Sequence, residues 1–146
     1  MRVRILAVGT RMPAWVAAAY ADYTRRMRAA LRVDLEEIPV GRTKADEEKK
    51  LLQRIAEDYL VALDERGKSL TTLQLARWLG ERQQEGRNLC FVIGGPDGLG
   101  EATLARAQLR WSLSALTFPH AMVRVILAEQ LYRAHTVLQN HPYHRE

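Results

Sequence analysis

The chain has 146 residues, 47% of them hydrophobic and 27% charged, which is the size and profile of one globular domain able to bury a core without disulfides or structural metal. Its 22 Lys and Arg against 17 Asp and Glu leave a charge of +5, which suits a polyanionic partner without requiring one. No apolar run approaches the roughly 18 residues of a membrane-spanning helix, and residues 1–9 are apolar over too short a distance for a signal peptide. The expectation is therefore a cytoplasmic protein with no membrane partner. The single cysteine, Cys90, sits in the apolar run Leu89-Cys90-Phe91-Val92-Ile93 and reads as an inert core thiol.

Taken in chain order, Arg2 to Val8 is rich in Val, Ile and Leu and stops at Gly9-Thr10, as a buried strand does. Thr10 and Pro13 are helix-start signals, and Trp15, Ala18, Ala19 and Tyr23 then recur at helical spacing up to Arg25 and Arg26. Residues 31–38 alternate apolar and charged side chains, a half-buried strand ended by Pro39. Residues 41–48 are polar and read as a loop entering a helix that ends near Glu57. Residues 59–63 are a second buried strand, closed by a turn over 64–68. Ser69 to Thr72 offer capping hydroxyls to a helix carrying Leu73, Leu75, Ala76 and Leu79. Residues 88–93 form another apolar strand, followed by Gly94-Gly95-Pro96-Asp97-Gly98 and a helix to about Ala107. A short strand over 111–114 precedes a long helix over 120–139, with Val123, Ile126, Leu127 and Leu131 as its buried stripe. Strands alternate with helices throughout, so the fold class is α/β with a mostly parallel sheet flanked by helices, in one domain spanning 1–146. In such sheets ligands lie beyond the carboxyl ends of the strands. The segments to watch are those after Leu63, after Ile93 and after Ser114.

The turn Ile93-Gly94-Gly95-Pro96-Asp97-Gly98 lets a ligand approach backbone closely. Its spacing is equally that of an ordinary strand-to-helix turn, and it matches neither a dinucleotide fingerprint nor a phosphate-binding lysine loop. Ser114-Ala115-Leu116-Thr117-Phe118-Pro119 can present backbone donors and acceptors to an adenine edge while Leu116 and Phe118 cover its faces; it also reads as a strand end plus a helix cap. On the last helix, spacing by four places His120 with Arg124 and Glu129 with Arg133, the latter as a routine surface ion pair. The tail Asn140-His141-Pro142-Tyr143-His144-Arg145-Glu146 gathers two imidazoles, a phenol and a guanidinium, groups that stack on bases and hold phosphates. No Cys, His or carboxylate cluster has metal-ligand spacing, so no metal is expected.

These segments together resemble the RlmH family, SPOUT-class methyltransferases that modify a pseudouridine of 23S ribosomal RNA. The resemblance runs almost end to end. It is carried by Leu6-Ala7-Val8-Gly9-Thr10 with Pro13 and Trp15, Ala62-Leu63-Asp64 with Gly67-Lys68, and Ile93 to Leu99. It continues through Leu113 to His120, Val123-Arg124-Val125, Glu129 to Ala134 and His141 to Arg145. The stretch from Gly41 to Tyr59 is several residues shorter than the family pattern, which puts the second helix in question and leaves the ligand loops untouched. The resemblance implies a C-terminal trefoil knot, a homodimer with the last helix at its interface, and S-adenosylmethionine as cofactor. By position it implies donor contacts at Leu63, Gly95, Ser114, Ala115, Leu116, Thr117, Phe118 and Pro119. It implies the ribosome as partner and N3 of pseudouridine as the methyl acceptor. For the acceptor side His144, Tyr143, Arg145, Arg124 and His120 are the candidates. The rivals from other classes are a non-catalytic RNA-binding module with a degenerate pocket and a small nucleotide-binding α/β protein.

Overall fold

A computed structural model describes residues 1–145, the side chains of His144 and Arg145 excepted. Five strands form one sheet: β1 (Arg2–Val8), β2 (Arg32–Ile38), β3 (Tyr59–Ser69), β4 (Leu89–Ile93) and β5 (Leu109–Ser112). Their spatial order is β2-β1-β4-β3-β5 and every pairing is parallel. Parallel neighbours need crossover connections, and these are α1 (Ala14–Arg26), α2 (Lys44–Arg54), α3 (Thr72–Gln84) and α4 (Glu101–Arg106). The chain steps one way along the sheet through α1 and α3 and the other way through α2 and α4. With crossovers of one hand, each reversal sends the helix to the opposite face. The fifth helix, α5 (His120–Leu138), and a short 3-10 turn at Pro142–Arg145 complete the described chain.

The alternation of β1 shows both faces at once. Val3, Ile5 and Ala7 join Phe91, Val61 and Trp111 in one core, together with Leu75 and Leu79 of α3 and Leu127 and Leu131 of α5. Leu6 and Val8 join Cys90, Val92, Leu60 and Ala62 in the other, beneath Leu51 of α2. On the first face α5 packs against both α1 and α3, so it is buried on more than one side. Leu127, Ala128, Leu131 and Ala134 are fully buried, whereas Val123 and Ile126 of the expected stripe are only half-buried.

Several boundaries differ from those read off the sequence. The helix after the polar stretch is present and starts earlier, at Lys44, because Thr43 caps it by accepting the Asp46 N–H at 3.1 Å. Thr71 supplies the cap expected between Ser69 and Thr72, in a reciprocal capping box with Gln74. The residues expected as a turn over 64–68 instead belong to β3, which re-pairs with β5 after an irregularity between Leu63 and Lys68. Gly67 makes this possible: a Cβ there would lie 2.6 Å from the Arg110 carbonyl. The last strand begins at Leu109, two residues before the expected start. Cys90 is fully buried, and burial, reinforced by Asp58 and Glu36 against the opposing pull of Arg4, pushes its thiol up to about 12. It is an inert core thiol, as its neighbours suggest.

Candidate active site

The order β4-β3-β5 sets the three expected loops on adjacent strands. Leu63 lies on β3 opposite Trp111 of β5, and its predecessor Ala62 pairs with Val92 of β4. Neighbouring strands are about 4.8 Å apart. The Gly94–Gly98 turn after β4 and the 113–119 segment after β5 therefore leave the sheet about 10 Å from one another, on either side of β3. The separations in sequence, from 63 to 119, disappear in the topology.

Each loop has a defined local cause. The Gly98 N–H donates to the Gly95 carbonyl at 2.9 Å and closes the turn after β4. Gly94 is obligatory, since a Cβ there would sit 2.6 Å from the Gly98 carbonyl carbon and 2.9 Å from the Leu99 nitrogen. After β5, the Ser112 hydroxyl donates to the Ser114 carbonyl at 3.0 Å, and the Ser114 hydroxyl accepts the Leu116 N–H at 2.9 Å. These two side-chain bonds turn the chain without using the neighbouring amides. The N–H groups of Ala115, Thr117 and Phe118 are left with no hydrogen-bond partner among the described residues. Leu116 is 71% exposed, Ala115, Thr117 and Pro119 are exposed, and Leu63, Ser114 and Phe118 are half-buried. A row of free backbone donors beside exposed apolar side chains is what a flat heteroaromatic ligand needs. The residues present therefore fit an adenosyl group. Among the described residues no group of three His, Cys, Asp or Glu side chains could hold a metal ion.

The acceptor-side candidates divide. His120 and Arg124 do share a face of α5, and both point at the exit of β1, where a Cβ on Gly9 would meet them at 3.7 and 3.5 Å. Arg124 is only 2% exposed and held at two points: Nη1 donates to Glu37 at 2.6 Å and Nη2 to the Gly9 carbonyl at 2.7 Å. In this arrangement its guanidinium ties α5 to β1 and β2. Tyr143 is not a frayed end. Its ring meets Tyr132 edge-on at 4.7 Å and lies beneath the Arg133 guanidinium at 5.0 Å. Burial, then a hydrogen bond with Tyr23 and the Glu129 charge, pushes its phenol well above the usual range, so it stays protonated. The side chains of His144 and Arg145, and Glu146 as a whole, lie outside the described residues. Glu129 and Arg133, expected as a surface pair, are instead largely buried at 2.6 Å and carry Tyr143.

Two glutamates were not singled out by sequence. Glu47 of α2 is 6% exposed and packs against Gly95, while Glu48 accepts the backbone N–H and the hydroxyl of Thr103, both at 3.2 Å. The only cue in the sequence is a pair of carboxylates in a helix whose length departs from the family pattern.

This is a small α/β fold in which the irregularity of β3 at Leu63 and the turns after β4 and β5 lie on adjacent strands. A family model described as "Predicted SPOUT methyltransferase" matches residues 1–144. Ribosomal RNA large subunit methyltransferase H of Thioalkalivibrio sulfidiphilus is 51% identical, with 100% of each chain covered. The protein of that name from Alkalilimnicola ehrlichii is 49% identical, with 99% of each chain covered. Among solved structures, a probable methylase family protein of Haemophilus influenzae superposes with a TM-score of 0.60 at 14% identity, over 97% of this chain and 69% of that one. A tRNA methyltransferase of Aquifex aeolicus gives 0.52 at 11% identity, over 90% and 70%. At such identities these structures speak for the fold alone. The chain belongs to the SPOUT methyltransferase family and, within it, to the RlmH family.

Proposed function

We propose that this protein transfers a methyl group from S-adenosylmethionine to N3 of a pseudouridine in 23S ribosomal RNA, on the ribosome in the cytoplasm. One observation carries the reading: the end of β4, the irregularity of β3 at Leu63 and the end of β5 lie on adjacent strands, with the amides of Ala115, Thr117 and Phe118 left without a partner among the described residues. Family membership and the names of relatives that are about half identical support it. When bound, S-adenosylmethionine supplies an already activated methyl group, so no metal is needed.

The tasks left to the chain are positioning and one proton. The 114–119 segment holds the adenine edge by its backbone, with Leu116 and Phe118 against its faces, while Leu63 and the Gly95 turn bound the pocket on the sheet side. Positioning of this kind lowers the barrier by removing orientational freedom. The N3 imide must lose its proton, which calls for a base or for a cation beside the developing charge. Tyr143 keeps its own proton and takes none from the nucleotide; its ring, held by Tyr132 and Arg133, helps to place the tail beside the nucleotide. His120, at the mouth of the β1 exit, and the tail residues His144 and Arg145 are the remaining groups for holding the nucleotide. The base leaves its stack to reach them.

The reading includes a C-terminal trefoil knot through which the 114–119 segment is held, and a homodimer. Trp15, 53% exposed, and the half-buried Val123 and Ile126 of α5 are apolar surface that a second copy covers. Labelled methyl transfer to ribosomes from a strain lacking the enzyme tests the assignment directly. Incorporation at one pseudouridine is expected; no incorporation, with neither S-adenosylmethionine nor its demethylated product bound in calorimetry, overturns it in favour of a non-catalytic RNA-binding module.

A further inference from the structure

The helix that the sequence left in question, α2, is built into the Gly94–Gly100 segment through its two consecutive glutamates. Successive helical positions diverge by about 100°, so the two carboxylates reach different ends of that segment. Glu48 takes the far end. Its Oε2 accepts the N–H and the hydroxyl of fully buried Thr103 at 3.2 Å each, which fixes the first turn of α4. Glu47 takes the near end. Its Oε2 accepts the Gly41 N–H at 3.0 Å, and its side chain is 6% exposed. The carboxylate lies flat against Gly95: a Cβ there would be 3.4 Å from Oε1, 3.7 Å from Oε2 and 3.1 Å from Val8 Cγ1. Gly95 is thus pinned between β1 and α2, with its carbonyl already holding the Gly98 amide.

A buried carboxylate is expensive to desolvate, and one hydrogen bond from Gly41 is modest compensation. An apolar side chain of similar length would fill the same space against Val8 at lower cost. The geometry points to Glu47 as a positioning residue for the methyl donor: anchored by Gly41, it fixes Gly95 at the height at which the turn after β4 meets the donor. Glu47 acts through Gly95 and needs no contact with the donor. This rests on the reading that the donor lies at Gly95.

The test compares Glu47→Ala and Glu47→Gln with wild type in the full-length protein. Calorimetry with S-adenosylmethionine and with its demethylated product gives the affinities, and hydrogen exchange of the ligand-free proteins reports on the turn. Glu47→Ala is expected to weaken both compounds alike, by about tenfold, a displaced Gly95 turn costing the same contact with each. The Gly98 amide then exchanges faster while amides of β1 and β4 keep their protection. Glu47→Gln retains the acceptor for Gly41 and the bulk beside Gly95, and restores both affinities to near wild type. Wild-type affinities in Glu47→Ala, with only a lowered thermal midpoint, overturn the proposal and leave Glu47 as a stabiliser of α2. Loss confined to the cationic donor in Glu47→Gln, with product affinity intact, overturns it in favour of direct charge contact. A wild-type chain that bound neither compound would fail at the donor reading itself, and the proposal would fall with it.

Discussion

Glu37→Ala should destabilise the protein more than Arg124→Met, although Arg124 is by far the more buried partner. The reason is what each change leaves behind. Arg124 is 2% exposed and Glu37 is 38% exposed, at 2.6 Å. Two unit charges about 4 Å apart interact by about 4 kcal/mol at an effective dielectric of about 20. The solvent-exposed part of Glu37 screens the pair, and about 2 kcal/mol is a reasonable remainder. Glu37→Ala removes that and strands a buried guanidinium whose remaining hydrogen-bond partner among the described residues is the Gly9 carbonyl. Arg124→Met instead frees Glu37 into water and fills the space with an apolar chain. It loses the ion pair and the bond to Gly9, the latter about 1 kcal/mol, but the guanidinium no longer has to be desolvated, which offsets most of the loss of the pair. The double variant should resemble Arg124→Met alone, a coupling that reports direct contact. Urea unfolding at fixed protein concentration measures all four proteins, and about 2–4 °C of thermal midpoint corresponds to each kcal/mol in a chain of this size. Additive losses, or an Arg124→Met protein less stable than Glu37→Ala, would show that the pair does not hold α5 to β1 and β2.

Removing residues 143–146 should abolish methyl transfer and leave donor binding within a small factor of wild type, read by labelled transfer and calorimetry on the same sample. Loss of the Tyr143 ring from Tyr132 should also lower the thermal midpoint, whereas full activity in the truncated protein would make the tail dispensable. Gly94→Ala places a Cβ 2.6 Å from the Gly98 backbone; it should remove donor binding in calorimetry while far-ultraviolet circular dichroism keeps the α/β signature. Acid should weaken the fold through His135. Burial, and secondarily the charge of His141, holds its imidazole below the ordinary 6.5, so the unfolded chain binds the proton first. That contribution is complete above about pH 6.5 and is lost as the pH falls towards the lower folded value. A His135→Gln protein should show a flatter midpoint-against-pH curve over that interval; an unchanged slope would exonerate His135.

Much of this architecture was visible in periodicity alone. Val, Ile and Leu runs give β1, β3 and β4, and the hydroxyls between Ser69 and Thr72 give the start of α3, because these patterns depend only on neighbours in the chain. The extension of β3 was not visible. Asp64-Glu65-Arg66-Gly67 has the composition of a turn, and only the backbone of Arg110, pressed against Gly67, shows that it is a strand. The site divides in the same way. Gly94 and Gly95, the serines around 112–114 and the 115–118 amides lie in short segments whose chemistry can be read locally. The roles of Arg124 and Glu47 cannot, since their partners lie 87 positions away at Glu37 and 48 positions away at Gly95.

The amino-acid order by itself settled where most strands and helices lie, and which turns their glycines and serines build, since both follow from local sterics and the burial of apolar side chains. The tertiary structure alone decided that Leu63 of β3 and the turns after β4 and β5 lie on adjacent strands, that Arg124 on α5 ties that helix to β1 and β2, and that α2 bears on the glycine turn. Those facts depend on the spatial order of the strands, which no pattern of nearby residues encodes.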